Sequence, residues 1–317
     1  VAQASGVTIR ANWWAATLER VLGKAGSLAR QKQVFLLSVF VPVMGLFLVI
    51  RIIPIVLILL ASFTNYSLKR PVTRFVGLNN FLRLFDDPRF ATGFWNSFEF
   101  VLVAVPLEIV GGLVIALLLS RKVKFEGFYQ TLYFLPYILP TVPTAIIWRW
   151  IYAPGNFGLA NYVLDSAGLA RVGWLTNPSI ALLAIIAMHV WKQLGFFVVV
   201  FLVGIKAIPA EFREASAVDG ASAWQSVRHI DLPLLRPIIL FGLVWSTIFA
   251  WSVFTEVYVM TQGSDVSAGS DLQVLSTRIY QEAFIFFNAG YGSAISFVLF
   301  IFSLAFVLLQ FKALGSD

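Results

Sequence analysis

Six apolar stretches, each long enough to cross a bilayer, constrain this chain more than any other feature. They cover about 34–63, 98–120, 131–152, 180–205, 238–260 and 293–314. A hydrocarbon core about 30 Å thick needs roughly 20 apolar residues in a helix. A helix also satisfies its own backbone groups where lipid offers no partner. Barrel strands would read as short alternating segments, whereas these runs are filled continuously by Leu, Ile, Val and Phe. The expected fold is therefore all-α, a polytopic membrane helix bundle with six transmembrane helices. Composition agrees. With 59% apolar and 12% charged residues, the chain lacks the polar surface of a soluble domain, where charged residues make up about 25%.

Net charge +7 would ordinarily suggest nucleic acid, but here it follows membrane topology. With the N-terminus inside, 13 Lys and Arg fall in inner segments, 7 in outer ones, and three (Arg51, Arg149, Lys192) within spans. That is the positive-inside bias, and both termini are expected in the cytoplasm. Segment 64–94 runs against it, with Lys69, Arg70, Arg74, Arg83 and Arg89. Without Cys there is no disulfide or thiolate site, and His189 and His229 stand 40 positions apart, so no metal site is expected. Residues 1–33 read as a basic cytoplasmic arm rather than a signal peptide. Trp14, Leu18, Val21 and Ala25 recur at helical spacing around Arg20 and Lys24, which suits an interfacial helix, with a basic tail as the alternative. Arg149, between Trp148 and Trp150, suits a side chain reaching the interface. Asp86-Asp87-Pro88 reads as helix-start chemistry.

The segment between the fourth and fifth spans, about 206–237, is long and polar. Pro209 ends the preceding span, and Glu211–Val218 suits a short helix with acidic residues in its first turn. Gly220 can take positive φ, Asp219 or Ser222 can cap a second short helix carrying Trp224, and Pro233 and Pro237 are expected to stop that helix. The result is a helix–turn–helix knob suited to docking into a soluble partner.

Glu214-Ala215-Ser216, Gly220 four residues beyond Ser216, and Ile230-Asp231-Leu232-Pro233 resemble the EAA loop of ABC-importer permeases. The fuller run from Ile208-Pro209 to Pro237 is similar to the maltose and glycerol-phosphate branch. Phe75–Phe81, Val257–Gly263 and Gly290–Ser296 extend the likeness over most of the chain, and the third EAA position is Ser216 in place of Ala. The resemblance implies a type I importer permease fold over 34–317, in the cytoplasmic (inner) membrane of a bacterium or archaeon. It implies a second, homologous permease subunit, two ATPase subunits that use ATP and Mg, and an extracytoplasmic sugar-binding protein. Glu211, Glu214, Ala215, Asp219, Gly220 and Trp224 would couple to the ATPase. This chain is not expected to be an enzyme or to bind a cofactor: Gly23-Lys24-Ala25 fails the phosphate-loop pattern.

Polar residues inside a membrane mark functional sites. His189, Lys192, Gln193 and Phe196 share one helical face. By resemblance they line the sugar path with Ser246, Ala250 and Val253, and Trp251 lies beside them. A structural reading stays open: Lys192 paired with Glu256 or snorkelling to the interface, with His189 hydrogen-bonded between helices. Lys192 and the basic outer segment point to an acidic sugar such as a uronate (alginate-like) oligosaccharide, with a neutral oligosaccharide open as well. An embedded enzyme would need convergent carboxylates, and Glu99, Glu108 and Glu256 are the ones in the spans. A secondary carrier or channel would need no docking knob, and no inverted halves are recognisable in the sequence.

Overall fold

The computed structural model describes residues 28–69, 72–121, 123–261 and 272–315. The arm helix expected around Trp14–Ala25 lies outside them. Residues 1–60 and 61–317 form separate compact units. The first span is one apolar helix over Lys32–Ser62. Within it α1 (Leu28–Phe47) passes through a π-helical turn, Leu48–Ile52, into α2 (Ile53–Ser62), and Arg51 sits in that turn.

Among the described residues there is no strand, only an isolated bridge between Thr64 and Phe75. A short surface helix, α3 (Asn79–Asp86), leads into α4 (Pro88–Leu119). The helix starts ten residues ahead of the apolar stretch because Asp87 caps it, accepting the Arg89 N–H at 3.0 Å, with Pro88 in the first turn, where a missing N–H costs nothing. Asp87 also accepts hydrogen bonds from Tyr291 (2.7 Å) and Arg278 (3.2 Å), and Arg278 pairs with Glu282 at 2.5 Å. One buried ion cluster thereby ties the start of α4 to the segment ahead of the last span.

The third expected span is broken. Helix α5 (Glu126–Ile138) and helix α6 (Thr141–Ile151) meet at 97°. Pro140 disfavours helical backbone at Leu139, which is extended at ψ 137°. Hydrophobicity could not reveal the break, because both arms are apolar. Five helices are long and apolar enough to cross a membrane, or six if the bent pair is one span. A short surface helix, α7 (Leu159–Ser166), precedes α8 (Pro178–Ala207), the central helix, packed against α4, α5 and the fifth span.

Between helices in lipid, close packing rather than water exclusion drives association, and small residues let backbones approach. At Gly195 of α8 a Cβ would lie 2.6 Å from the Tyr133 carbonyl carbon and 2.9 Å from Phe134 Cα. Only glycine permits that crossing of α5. Helix α4 buries Phe100, Ala104, Glu108 and Gly112 on one stripe while Leu107, Val110, Val114 and Leu118 face outward. Both faces are apolar, so packing, not polarity, tells them apart.

Contrary to expectation, Pro233 and Pro237 do not stop the second loop helix ahead of the fifth span. From Ala223 to Thr261 the chain is one long helical run: α10 (Ala223–Ser226), a π-helical turn at Val227–Asp231, then α11 (Leu232–Trp251) and α12 (Thr255–Thr261). Pro233 follows the π-helical turn Val227–Asp231 directly, and the helical run continues through it. Pro237 is accommodated inside α11. A short helix, α13 (Leu275–Tyr280), leads by another π-helical turn to the last span, α14 (Ala289–Leu314).

Candidate functional sites: a strutted loop and a membrane cavity

Helix α8 ends at Ala207, ahead of Pro209, and α9 (Ala210–Val218) follows with Glu211 in its first turn. Gly220 has φ +74°, the left-handed conformation that reverses the chain. Of the two candidate caps, Ser222 is the one used. Its hydroxyl accepts the Gln225 N–H at 3.3 Å while its own N–H donates to the Gln225 side chain at 2.7 Å. The expected knob is therefore present. Glu211, Glu214, Ala215, Asp219, Gly220 and Trp224 are all exposed on it.

Sequence reasoning missed what fixes this knob to the membrane helices. Arg213 donates through Nε (3.0 Å) and Nη2 (2.9 Å) to Asp231 Oδ1, and through Nη2 to the Ile205 carbonyl at 3.2 Å. Asp231 is buried at the foot of the fifth span and Ile205 lies at the end of α8, so one guanidinium ties the loop to both helices. Arg and Asp 18 positions apart gave no periodic signal. Lys206 pairs with Glu126, joining the end of α8 to the start of α5. Phe212 and Val218 add exposed apolar surface beside the acidic residues.

Inside the membrane, α5, α6, α8 and the α11–α12 junction border an open cavity of about 690 Å³. His189, Lys192, Gln193 and Val253 line it, as the sequence suggested. Phe196, Ser246, Ala250 and Trp251 do not. Phe196 stacks between Tyr137 (5.1 Å) and Trp245 (5.7 Å), and the other three are buried in the bundle. Val253 reaches the cavity because the helix unwinds between Trp251 and Thr255. Ser246 and Ala250, carried over by resemblance, lie in the unbroken helix ahead of that point and face the packing.

Two carboxylates define the electrostatics. His189 lies between them, Nε2 at 3.3 Å from Glu108 and Nδ1 at 3.1 Å from Glu256, and Ser246 donates to Glu108 at 2.6 Å. Only the Glu256 contact has hydrogen-bond geometry; Glu108 Oε1 is buried without a hydrogen-bond partner among the described residues. The open reading of His189 as an interhelical link is the one the structure adopts. Lys192 donates to the Tyr137 carbonyl at 3.3 Å and lines the cavity alongside Glu256. The cation therefore shares its cavity with a carboxylate, which removes the main ground for requiring an anionic ligand. Aromatic Phe134, Tyr137, Phe249 and Phe254 complete the walls. Among the described residues no group of acidic, His and Cys side chains is arranged to hold a metal ion.

Residues 108–313 match the family described as "Binding-protein-dependent transport system inner membrane component". This chain belongs to that family. The permease is 36% identical over 249 residues to a probable ABC transporter permease of Pyrococcus horikoshii, covering 78% of this chain and 84% of the relative. It is 33% identical over 284 residues to the trehalose/maltose transport system permease protein MalF of Thermococcus litoralis, covering 88% and 89%. Its fold is similar to a crystal structure of a bacterial ABC transporter involved in the import of the acidic polysaccharide alginate. The TM-score is 0.78 at 24% identity, over 89% of this chain and 96% of that one. The permease is a multi-pass membrane subunit of a sugar ABC importer, as the EAA pattern led one to expect.

Proposed function

We propose that this permease forms half of a sugar-translocation path and receives the motion of a separate ATPase through its 206–237 loop. The observation that carries this reading is the exposed acidic and apolar knob, tied by Arg213 to the ends of two membrane helices. A push on Glu211, Glu214 or Trp224 then reaches the fourth and fifth spans directly, and these spans wall the cavity. The complex would contain a sister permease, two ATPase subunits holding ATP and Mg, and an extracytoplasmic binding protein, with both termini of this chain cytoplasmic.

For the substrate we favour a neutral oligosaccharide. The cavity offers aromatic faces for C–H surfaces and a balance of donors (Lys192, Gln193) and acceptors (Glu256, Gln193) for hydroxyls. Relatives named for trehalose/maltose, arabinooligosaccharide and lactose transport support the class. A uronate oligosaccharide is the second reading, favoured by Lys192 and by the basic segment with Lys69, Arg74, Arg83 and Arg89.

The test is the reconstituted complex with its binding protein. Glu214→Ala and Gly220→Val should leave the permease inserted while uptake is lost or uncoupled from ATP hydrolysis, and normal uptake by both would overturn the coupling role. Neutral oligosaccharides should stimulate ATP hydrolysis more than uronates of matched length, and the reverse order would select the second reading.

A further inference from the structure

A second cavity, of about 290 Å³, lies where α6 ends and α8 begins, and shares no residue with the first. Arg149, Trp150, Tyr152, Trp174 and Thr176 border it, with Ile146 at its edge. Tyr152 and Trp174 form a stacked pair, centroids 5.4 Å apart, and the Tyr152 hydroxyl is already spent on the Ala184 carbonyl. Two polar groups remain. Among the described residues no carboxylate or hydrogen-bond acceptor engages the Arg149 guanidinium, and no carboxylate borders the cavity. The Trp174 indole N–H is buried and has no hydrogen-bond partner. A half-buried cation and an orphaned donor at the edge of hydrocarbon call for an anion.

The position says which kind. The 30 residues of α8 rise about 45 Å, the full bilayer thickness including headgroups, about 40–45 Å. The Pro178 end, beside this cavity, therefore sits at headgroup level, opposite the 206–237 loop. Ile146, Ile147 and Trp150 expose an apolar strip beside Arg149, the mixture of aromatic, aliphatic and cationic side chains found where protein meets the interface. The volume is at the floor of the range for small-molecule pockets, about 300–1,000 Å³, too small for an oligosaccharide and suited to a headgroup.

We propose that this cavity is a lipid site, in which Arg149 and the Trp174 N–H hold the phosphodiester of an anionic phospholipid whose chains lie along Ile146, Ile147 and Trp150. An ethanolamine headgroup would bring an ammonium with no carboxylate to receive it, so an anionic lipid such as phosphatidylglycerol is favoured. This rests on membrane insertion alone, so its failure would leave the sugar-path reading standing.

The experiment is native mass spectrometry of the full chain in mild detergent, titrated with phosphatidylglycerol, phosphatidylethanolamine or inorganic phosphate. One phosphatidylglycerol should be retained, and Arg149→Gln should weaken it at least about tenfold, as expected for loss of a charged hydrogen-bonding partner. Trp174→Phe keeps the stacked ring and should weaken it severalfold, so a folding defect in the first variant does not decide the matter. Arg171→Gln, at an exposed pair with Asp165, should change nothing. Retention unaltered in Trp174→Phe or in folded Arg149→Gln, equal affinity for phosphatidylethanolamine, or displacement of the lipid by equimolar inorganic phosphate would each overturn the assignment.

Discussion

Replacing Arg213 by Ala should free the 206–237 loop from the membrane helices without unfolding the bundle. Two hydrogen bonds from the guanidinium to Asp231 and one to the Ile205 carbonyl are lost together. Bonds to a charged partner contribute about 1.5–3 kcal/mol each, and stripping the partner from a fully buried carboxylate costs about 3–5 kcal/mol. The Arg213 side chain is 36% exposed while that of Asp231 is 7% exposed, so water recovers part of the loss. A local cost of about 2–3 kcal/mol follows, a roughly 30- to 150-fold rise in opening of residues 210–231. Amide hydrogen exchange on the purified chain reads this directly, as faster exchange across 210–231 with α4 and α8 unchanged. Asp231→Ala on top of Arg213→Ala should add little, because the orphaned charge is gone, whereas two independent sites would add in full. Unchanged exchange in Arg213→Ala, or additive single effects, would refute the strut. In the assembled transporter the same variant should hydrolyse ATP with reduced uptake per turnover.

Gly195→Ala should destabilise the bundle by about 1–3 kcal/mol as an overpacked contact, lowering the melting temperature, while Gly127→Ala, with nothing within 4 Å of its added Cβ, should be neutral. Glu256→Gln keeps the size but removes the charge that faces His189 at 3.1 Å; sugar-stimulated ATP hydrolysis should fall at least about tenfold, and wild-type stimulation would show that the ion pair is dispensable. Burial raises the Asp87 carboxyl, but the Tyr291 hydroxyl and the Arg278 charge outweigh it and hold its pKa below the usual range. A lowered carboxylate contributes stability that is full above its unfolded value, about 3.9, and is lost as pH falls through the folded one. The melting temperature should therefore decline below about pH 4, and less so in Asp87→Asn; identical acid profiles would discount the cluster.

The spans were legible because lipid demands long apolar helices, and the exposed loop knob because its turn chemistry is local: Gly220, Ser222 and Gln225 lie within six residues. Long-range pairings were not. Glu108 and Ser246 are 138 positions apart, and His189 and Glu256 are 67 apart. Each is visible singly as a costly polar residue in a span, yet no spacing rule joins them. Along α8, His189, Lys192 and Gln193 line the cavity, while Phe196 of the same expected face stacks between Tyr137 and Trp245. In the fifth span Val253 meets the cavity at the interruption after Trp251, while Ser246 and Ala250, within the unbroken helix ahead of it, are buried in the packing.

The seam at Gly195 has a mechanical consequence. Helices α5 and α8 meet backbone to backbone there, and a second rivet, Glu126 to Lys206, joins them near the loop. Two fixed points about seven residues, or roughly 10 Å, apart along α5 leave little freedom to slide or splay. If the loop receives a stroke as proposed, this helix pair leads it toward Leu139–Pro140, where the chain turns through 97° beside Tyr137 and Thr141 of the cavity.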